Sequence, residues 1–115
     1  MNLKKIAIST VALTSICFAD IIWLEEAPIR MRWQEAMDYC KKLDAQLPTR
    51  NDFKKVWLQN NKASDIKGFE LSVSFWTRDE MKSNKYAAYP FYFGDGRDTW
   101  YYKADKYGVK CIKDN

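Results

Sequence analysis

The sequence predicts an α+β fold in which two helices precede a small twisted antiparallel sheet and one disulfide ties the two parts together. Three observations support this prediction. Apolar residues recur with helical spacing between positions 33 and 60, they alternate with a period of two from position 69 onward, and one cysteine falls in each part. The order of helices first and strands afterwards indicates α+β rather than a parallel βαβ sheet.

The first nineteen residues have the layout of a secretory signal peptide. Lys4 and Lys5 precede an apolar stretch, Ile6–Phe18, and Ala19 is the small residue expected before a cleavage site. A retained signal anchor is the competing interpretation, but the apolar stretch is shorter than the ~20 residues that span a membrane. We therefore expect a signal peptide at 1–19, a single mature domain at 20–115, no stable membrane span after cleavage, and a periplasmic or secreted protein.

The charge of the mature part is nearly balanced. Without Lys4 and Lys5, 17 of the 19 basic residues remain against 15 acidic ones, a net charge of +2, and the two signs are mixed along the chain. Nucleic-acid-binding domains usually carry a basic patch or stripe. We therefore expect no nucleic-acid partner.

Two cysteines, Cys40 and Cys111, remain once Cys17 leaves with the signal peptide. An even pair in an oxidising compartment is most simply a disulfide, and closing a loop of 111 − 40 = 71 residues contributes up to ~4 kcal/mol in the chain-entropy model. The sequence has no histidine, which excludes every His-based nucleophile arrangement and most zinc sites.

The helical half begins after a short strand, 21–26, which Pro28 ends. The first helix is predicted over 33–43, with Trp33, Cys40 and Leu43 on its apolar face. The second helix runs from a capping box that starts at Thr49 to about residue 60. Its apolar face carries Phe53, Val56 and Trp57, and we expect Trp23, Trp33, Trp57 and Trp76 to lie in the core.

The second half is predicted to consist of strands. The predicted strands are 69–77, 86–93, 99–103 and 107–112, with a charged loop at 78–85 and a turn at 94–98. Pro90 lacks an amide donor, so the second of these strands should carry an irregularity or lie at an edge.

Several motifs resemble those of C-type-lectin-like domains. Residues 33–49 are similar to the family pattern W-x-x-A-x-x-Y-C-x-x-L followed by L-P-T, Phe75-Trp76-Thr77 to its Y-W-S-S/T strand, and 107–113 to its terminal V-R-C-V-R strand. The two bacterial branches concerned are a module family also found at the C-terminus of a collagen-like adhesin and, more distantly, the sulfatase-modifying (formylglycine-generating) enzymes. The resemblance implies a C-type-lectin-like fold whose disulfide joins the first helix to the last strand.

The sequence also departs from these relatives. Asp44-Ala45-Gln46 is shorter than the insert that adhesin-type modules carry before L-P-T, and the E-P-N, Q-P-D and W-N-D motifs of calcium-dependent sugar lectins do not occur. The sulfatase-modifying enzymes need a redox-active cysteine pair in addition to their scaffold, whereas both mature cysteines here are assigned to a disulfide. The resemblance therefore implies neither calcium-dependent sugar binding of that kind nor their catalysis.

Candidate ligand-binding residues cluster in the aromatic C-terminal half. They are Tyr92, Asp95, Arg97, Asp98, Trp100 and Tyr101. Aromatic rings beside Asp and Arg suit sugar faces or a protein contact, although core packing is the alternative for each ring. Asp95 and Asp98 are two possible calcium ligands, but Asp-Gly is a common turn dipeptide and a plain turn is the favoured interpretation. Asp79 and Glu80 could act as an acid/base pair, although a solvated loop is the favoured interpretation for them.

The sequence thus favours an exported, non-catalytic binding module for a glycan or protein ligand, adhesin-like or acting as a periplasmic accessory protein. One alternative is a divergent enzyme of the sulfatase-modifying type. Another is a subunit of a larger surface or tail-fibre assembly.

Overall fold

The computed structural model of the protein describes residues 21–115, so the predicted signal peptide at 1–19 lies outside the described residues. This part of the chain is α+β, with helices α1 (Trp33–Lys42) and α2 (Arg50–Gln59). The strands are β1 (Ile21–Glu26), β2 (Ser74–Glu80), β3 (Ala87–Tyr92), β4 (Tyr101–Tyr102) and β5 (Lys110–Asp114). Neither helix in residues 21–115 has the length and apolar character needed to cross a membrane.

The strands form two small antiparallel sheets rather than the single sheet that the sequence predicted. One sheet pairs β1 with β5, and the other has the order β2–β3–β4. The predicted closing strand divides between them, because Gly108 bonds to β2 through Ser74 and Trp76 while the residues from 110 onward pair with β1. Ile21 faces Asp114 across the first sheet, which places the two ends of the described chain side by side.

The disulfide prediction is confirmed. Cys40 of α1 is bonded to Cys111 of β5, with their Cα atoms 5.5 Å apart. Both residues are buried in a cluster that we call the disulfide core. Its members are Ala27, Met31, Trp33, Ala36, Cys40, Leu47, Trp76, Ala88, Val109 and Cys111.

Helix α1 forms as its apolar spacing predicts, but it ends one residue earlier than expected. Leu43, predicted to lie on the apolar face, is instead the C-cap residue and is exposed. The chain turns away there because Asp44 adopts a positive φ of 56°, a conformation that short polar side chains tolerate. The amide of Arg32 donates to the Glu35 carboxylate at the other end of the helix, 2.9 Å away.

Helix α2 begins at the predicted capping box. The Thr49 hydroxyl accepts from the amide of Asp52 at 3.1 Å, and the Asp52 carboxylate accepts from the amide of Thr49 at 2.9 Å. The sequence did not indicate a second acceptor, Asp79 of β2, whose carboxylate takes the amide of Arg50 at 2.8 Å. These bonds satisfy amides that would otherwise lack partners at the start of the helix.

A second cluster, the phenylalanine core, lies between α2 and the three-stranded sheet. Its buried members are Phe53, Ile66, Phe69, Phe75, Phe91 and Phe93. Trp23 and Trp57, predicted as core residues, are partly buried and pack against this cluster. Trp33 and Trp76 are buried in the disulfide core, and their indole nitrogens donate to the carbonyls of Thr77 and Met31.

The strand predicted from Phe69 begins only at Ser74, so that prediction is wrong for residues 69–73. The Glu26 carboxylate accepts from the amide of Leu71, and the amide of Phe69 donates to the carbonyl of Ile66 in a turn. Only at Val73, directly before β2, does the backbone bond to the β3 side of the sheet, through the amide of Phe93. Leu71 and Val73 are consequently exposed instead of sharing a buried face with Phe69.

Strand β2 continues through residues that the sequence assigned to a charged loop. Glu80 faces Lys103 with an N–O distance of 2.7 Å, and Arg78 donates its amide to the carbonyl of Pro48. The irregularity expected near Pro90 is present: the register between β2 and β3 shifts where Trp76 faces Pro90 and Glu80 faces Ala88. Between these two pairs, β2 has two residues more than β3, directly after the Trp76–Pro90 pair.

Candidate functional site

A cavity of about 140 Å³ opens at the end of the three-stranded sheet, beside the segment that leads into β5. We call it the tyrosine cavity. Its lining residues are Ser74, Pro90, Tyr92, Arg97, Thr99, Tyr101 and Tyr107. Three of the predicted site residues, Tyr92, Arg97 and Tyr101, meet here although they come from different elements.

The turn after β3 places Tyr92 and Arg97 together. The amide of Tyr92 donates to the carbonyl of Arg97 at 2.8 Å, and the amide of Gly96 donates to the carbonyl of Tyr92 at 2.8 Å. Gly96 has a φ of +77°, and a Cβ atom there would collide with the indole of Trp57. Helix α2 therefore supports the turn directly, and the Trp57 indole also donates to the carbonyl of Phe93 at 3.2 Å.

Arg97 lies at the rim of the cavity with its guanidinium over the Tyr92 ring, 5.1 Å from the ring centroid. Its Nε atom is 3.5 Å from the Asp95 carboxylate, which also accepts the Arg97 amide at 3.0 Å. Both charged side chains are about half exposed, so this ion pair contributes little to stability. Its effect is to orient the arginine against the tyrosine ring.

Tyr101 and Tyr107 form the opposite wall, with ring centroids 5.6 Å apart. Tyr107 is fixed by backbone hydrogen bonds to Met31 and by edge-to-face packing against Trp76, at 5.0 Å between centroids. Burial, followed by the negative charge of Asp105 and the neighbouring Tyr101, raises the pKa of the Tyr107 hydroxyl above its usual value. This hydroxyl stays protonated at neutral pH and can donate a hydrogen bond to a ligand.

Residues 23–113 match a protein family described as Domain of unknown function (DUF8780). The match runs from β1 to β5. The chain belongs to this family. A comparison with curated proteins found no match.

The other predicted site residues of this DUF8780 domain lie outside the cavity lining. Trp100 packs edge-to-face against Tyr102 at 5.3 Å, whereas Tyr101 between them packs on Tyr107. Successive side chains of an extended segment point to opposite faces, so Trp100 and Tyr101 do not share one surface. Trp100 and Tyr102 form the outer aromatic face, a name we keep for these two exposed residues.

Asp95 and Asp98 gain no further metal ligand from the fold. Within residues 21–115, no group of three or more Asp, Glu, Cys or His side chains is placed to hold a metal ion. The Asp95 carboxylate instead faces the Arg97 guanidinium, so in this structure the turn holds the arginine side chain in place.

Asp79 and Glu80 do not form an acid/base pair. Asp79 binds the backbone and side chain of Arg50, and Glu80 faces Lys103. Each carboxylate joins β2 to a different neighbour.

Four cavity residues were missed from the sequence: Ser74, Pro90, Thr99 and Tyr107. Tyr107 had been assigned to the closing strand, where alternation alone does not tell which sheet it faces. The signal that could have found it is Gly108, whose missing side chain lets the chain approach Phe75 of β2 and Ser72 just before that strand.

Two larger depressions lie on the opposite part of the domain, near the C-terminal end of α1. One, of about 500 Å³, includes Lys41, Gln46 and Lys113 in its lining, and the other, of about 320 Å³, includes Met37, Leu47 and Arg78. No aromatic residue lines either of them. The tyrosine cavity is smaller, but it combines aromatic walls with hydroxyl groups and a cation, which is the combination that fixes a ligand's position.

Proposed function

We propose that this DUF8780 protein is an exported, non-catalytic binding module with a C-type-lectin-like fold that takes a glycan or protein ligand at the tyrosine cavity. The observation that carries the proposal is the cavity itself. Three tyrosines from three separate segments converge with Arg97 and two aliphatic hydroxyls on one concave surface. Aromatic rings supply contact area at low entropic cost, and polar groups among them give specificity.

The fold part of the proposal draws on the resemblance together with two features of the structure. The disulfide links α1 to the last strand, and that strand pairs with β1. The first feature agrees with the disulfide that the C-type-lectin-like motifs imply, and the second brings the two ends of the domain together.

The non-catalytic part draws on the available chemical groups. The chain contains no histidine, and the two cysteines of the described residues are joined to each other. Thiol counting under denaturing, non-reducing conditions tests the rival enzyme of the sulfatase-modifying type. Zero free thiols in the processed protein is the expected result, whereas a reactive thiol would favour the enzyme.

Binding is tested by probing glycan and protein arrays with the exported, disulfide-bonded chain. Tyr101→Ala should weaken any genuine signal at least about tenfold, because a central aromatic contact is often worth 2 kcal/mol or more. Tyr86→Ala is the matched control, since Tyr86 is 66% exposed but does not line the cavity. Clean negatives on both arrays, or equal effects of the two variants, would refute the proposed site.

The outer aromatic face favours a second candidate, a subunit of a larger assembly. Trp100 and Tyr102 are exposed side by side next to the short edge strand β4. Exposed aromatic pairs are typical of protein contacts. Size-exclusion chromatography with light scattering separates the two candidates: an oligomer that Trp100→Ala dissociates would favour the assembly subunit.

A further inference from the structure

We propose that the tyrosine cavity selects a carboxylate-bearing sugar unit, with Arg97 as the residue that receives the carboxylate. This inference rests on the proposed binding function and narrows its ligand to uronic-acid-type saccharides. It depends on the charge of the cavity, the hydrogen-bonding groups around it and its size.

The charge of the cavity lining is positive. Arg97 is the one charged residue among the seven that line it. The Arg97 contacts within residues 21–115 involve the Nε atom, the backbone and the face of the guanidinium, so the two terminal amino groups are available to a ligand. A guanidinium edge of this kind binds a carboxylate through two parallel hydrogen bonds.

Asp95 limits this charge without cancelling it. Its carboxylate lies 3.5 Å from Nε, on one edge of the guanidinium, and is itself half exposed. The site therefore suits a single carboxylate better than a highly charged group such as a phosphate.

The remaining groups suit a sugar. Ser74 and Thr99 contribute hydroxyls that both donate and accept, and three tyrosines contribute rings and phenolic hydroxyls. The apolar C–H face of a pyranose packs on such rings, while its hydroxyls exchange hydrogen bonds with the rim. A tyrosine hydroxyl is protonated at neutral pH, so a phenol of the lining can donate to a sugar oxygen or to the carboxylate.

The volume sets the size of the bound group. Drug-sized ligands occupy pockets of ~300–1,000 Å³. The cavity of about 140 Å³ is well below that range, so it has room for no more than one sugar unit and the rest of a chain would lie outside. The ligand is therefore recognised at a single acidic unit.

The test uses two probes that differ only at C6, methyl β-glucuronide and methyl β-glucoside, followed by the corresponding galactose pair. Each is titrated into the isotopically labelled, disulfide-bonded chain near neutral pH and low salt, with amide shifts as the readout. We expect the acidic member of at least one pair to bind about tenfold more tightly than its neutral partner. Salt should reduce this preference, because the interaction is partly exposed.

Two variants separate the charge from the fold. Arg97→Gln should abolish the acidic preference while leaving the amide spectrum of the two cores unchanged. Asp95→Asn keeps the oxygen that accepts the Arg97 amide but removes the competing charge, so it should strengthen binding of the acidic probe about 2- to 5-fold.

Each outcome bears on the inference. Tighter binding of the acidic probe, its loss in Arg97→Gln and its gain in Asp95→Asn would support it. Equal binding of acidic and neutral sugars, or an unchanged preference in Arg97→Gln, would overturn it while leaving a sugar-binding module in place. Array binding to proteins with no response to either sugar pair would overturn it while leaving the proposed function, and no ligand in any assay would overturn both.

Discussion

Replacing Cys40 and Cys111 together by alanine should lower the free energy of unfolding by about 4 kcal/mol. The disulfide spans a sequence separation of 71 residues, and closing a loop of that length costs the unfolded chain about this much entropy. Both positions are buried among apolar side chains, where a serine hydroxyl would have no water to hydrogen-bond. Alanine is therefore the appropriate replacement. Domains of this size have a total stability of ~5–15 kcal/mol, so the loss is a large fraction.

The assay is urea unfolding monitored by tryptophan fluorescence. For a slope of ~2 kcal/mol/M, a loss of ~4 kcal/mol moves the midpoint down by about 2 M. The slope should also increase, because an unfolded chain without the cross-link is less compact. Reducing the disulfide of the unaltered protein provides the control and should give nearly the same curve as the double variant.

A midpoint shift below about 0.5 M, or reduced and oxidised proteins with the same curve, would refute this reasoning. It would mean that the cross-link restricts the unfolded chain much less than the loop-closure entropy assumes.

Three further predictions concern the cores and the turn. Phe53→Ala should lower the free energy of unfolding, measured in urea, by about 3–5 kcal/mol, because the fully buried ring packs against several others. The control is Leu58→Ala on the exposed side of α2, which should cost under about 0.5 kcal/mol. Gly96→Ala should destabilise the protein by ~1–3 kcal/mol and weaken ligand binding, since φ is +77° and the new Cβ meets the Trp57 ring; unchanged binding would contradict the role given to the turn. Burial lowers the pKa of Lys110 in the folded protein below 10.5. The unfolded chain therefore holds this proton more tightly than the folded one, and the free energy of unfolding should rise as the pH increases towards 10.5. Lys110→Met should remove this rise and the half-buried Lys113→Met should keep it, with urea midpoints across pH as the measurement; equal slopes in both variants would contradict it.

The helical half was predictable because its signals are local. Apolar spacing in α1, the capping box at Thr49 and the extended residues of β1 all act within a few positions, and each element forms where the sequence indicates. The cysteine pair was predictable because the predicted export left only one pairing.

The strands were less predictable because their limits depend on distant partners. Residues 69–73 alternate like a strand, yet the Glu26 carboxylate takes the amide of Leu71, the amide of Phe69 bonds to Ile66 in a turn, and the strand begins only at Ser74. Conversely, the charged residues 78–80 stay extended because each has a partner in another part of the chain. The Arg78 amide donates to Pro48, the Asp79 carboxylate accepts from the Arg50 amide, and Glu80 forms an ion pair with Lys103. Neither outcome can be read from a local pattern.

The sequence named candidate site residues but not their arrangement. The structure brings Tyr92, Arg97 and Tyr101 to one cavity, whereas Trp100 faces away from Tyr101. Tyr107 enters the cavity because the closing segment divides between two sheets, a division that follows from long-range pairing.

The most direct test of the tyrosine cavity as a ligand site is an amide-shift titration of the labelled chain with a ligand selected on the arrays. We predict that the shifted amides cluster at Tyr92, Arg97, Tyr101 and Tyr107 and that Tyr101→Ala abolishes the shifts. Shifts that cluster instead around Lys41 and Gln46, at the larger depressions near α1, would contradict the account.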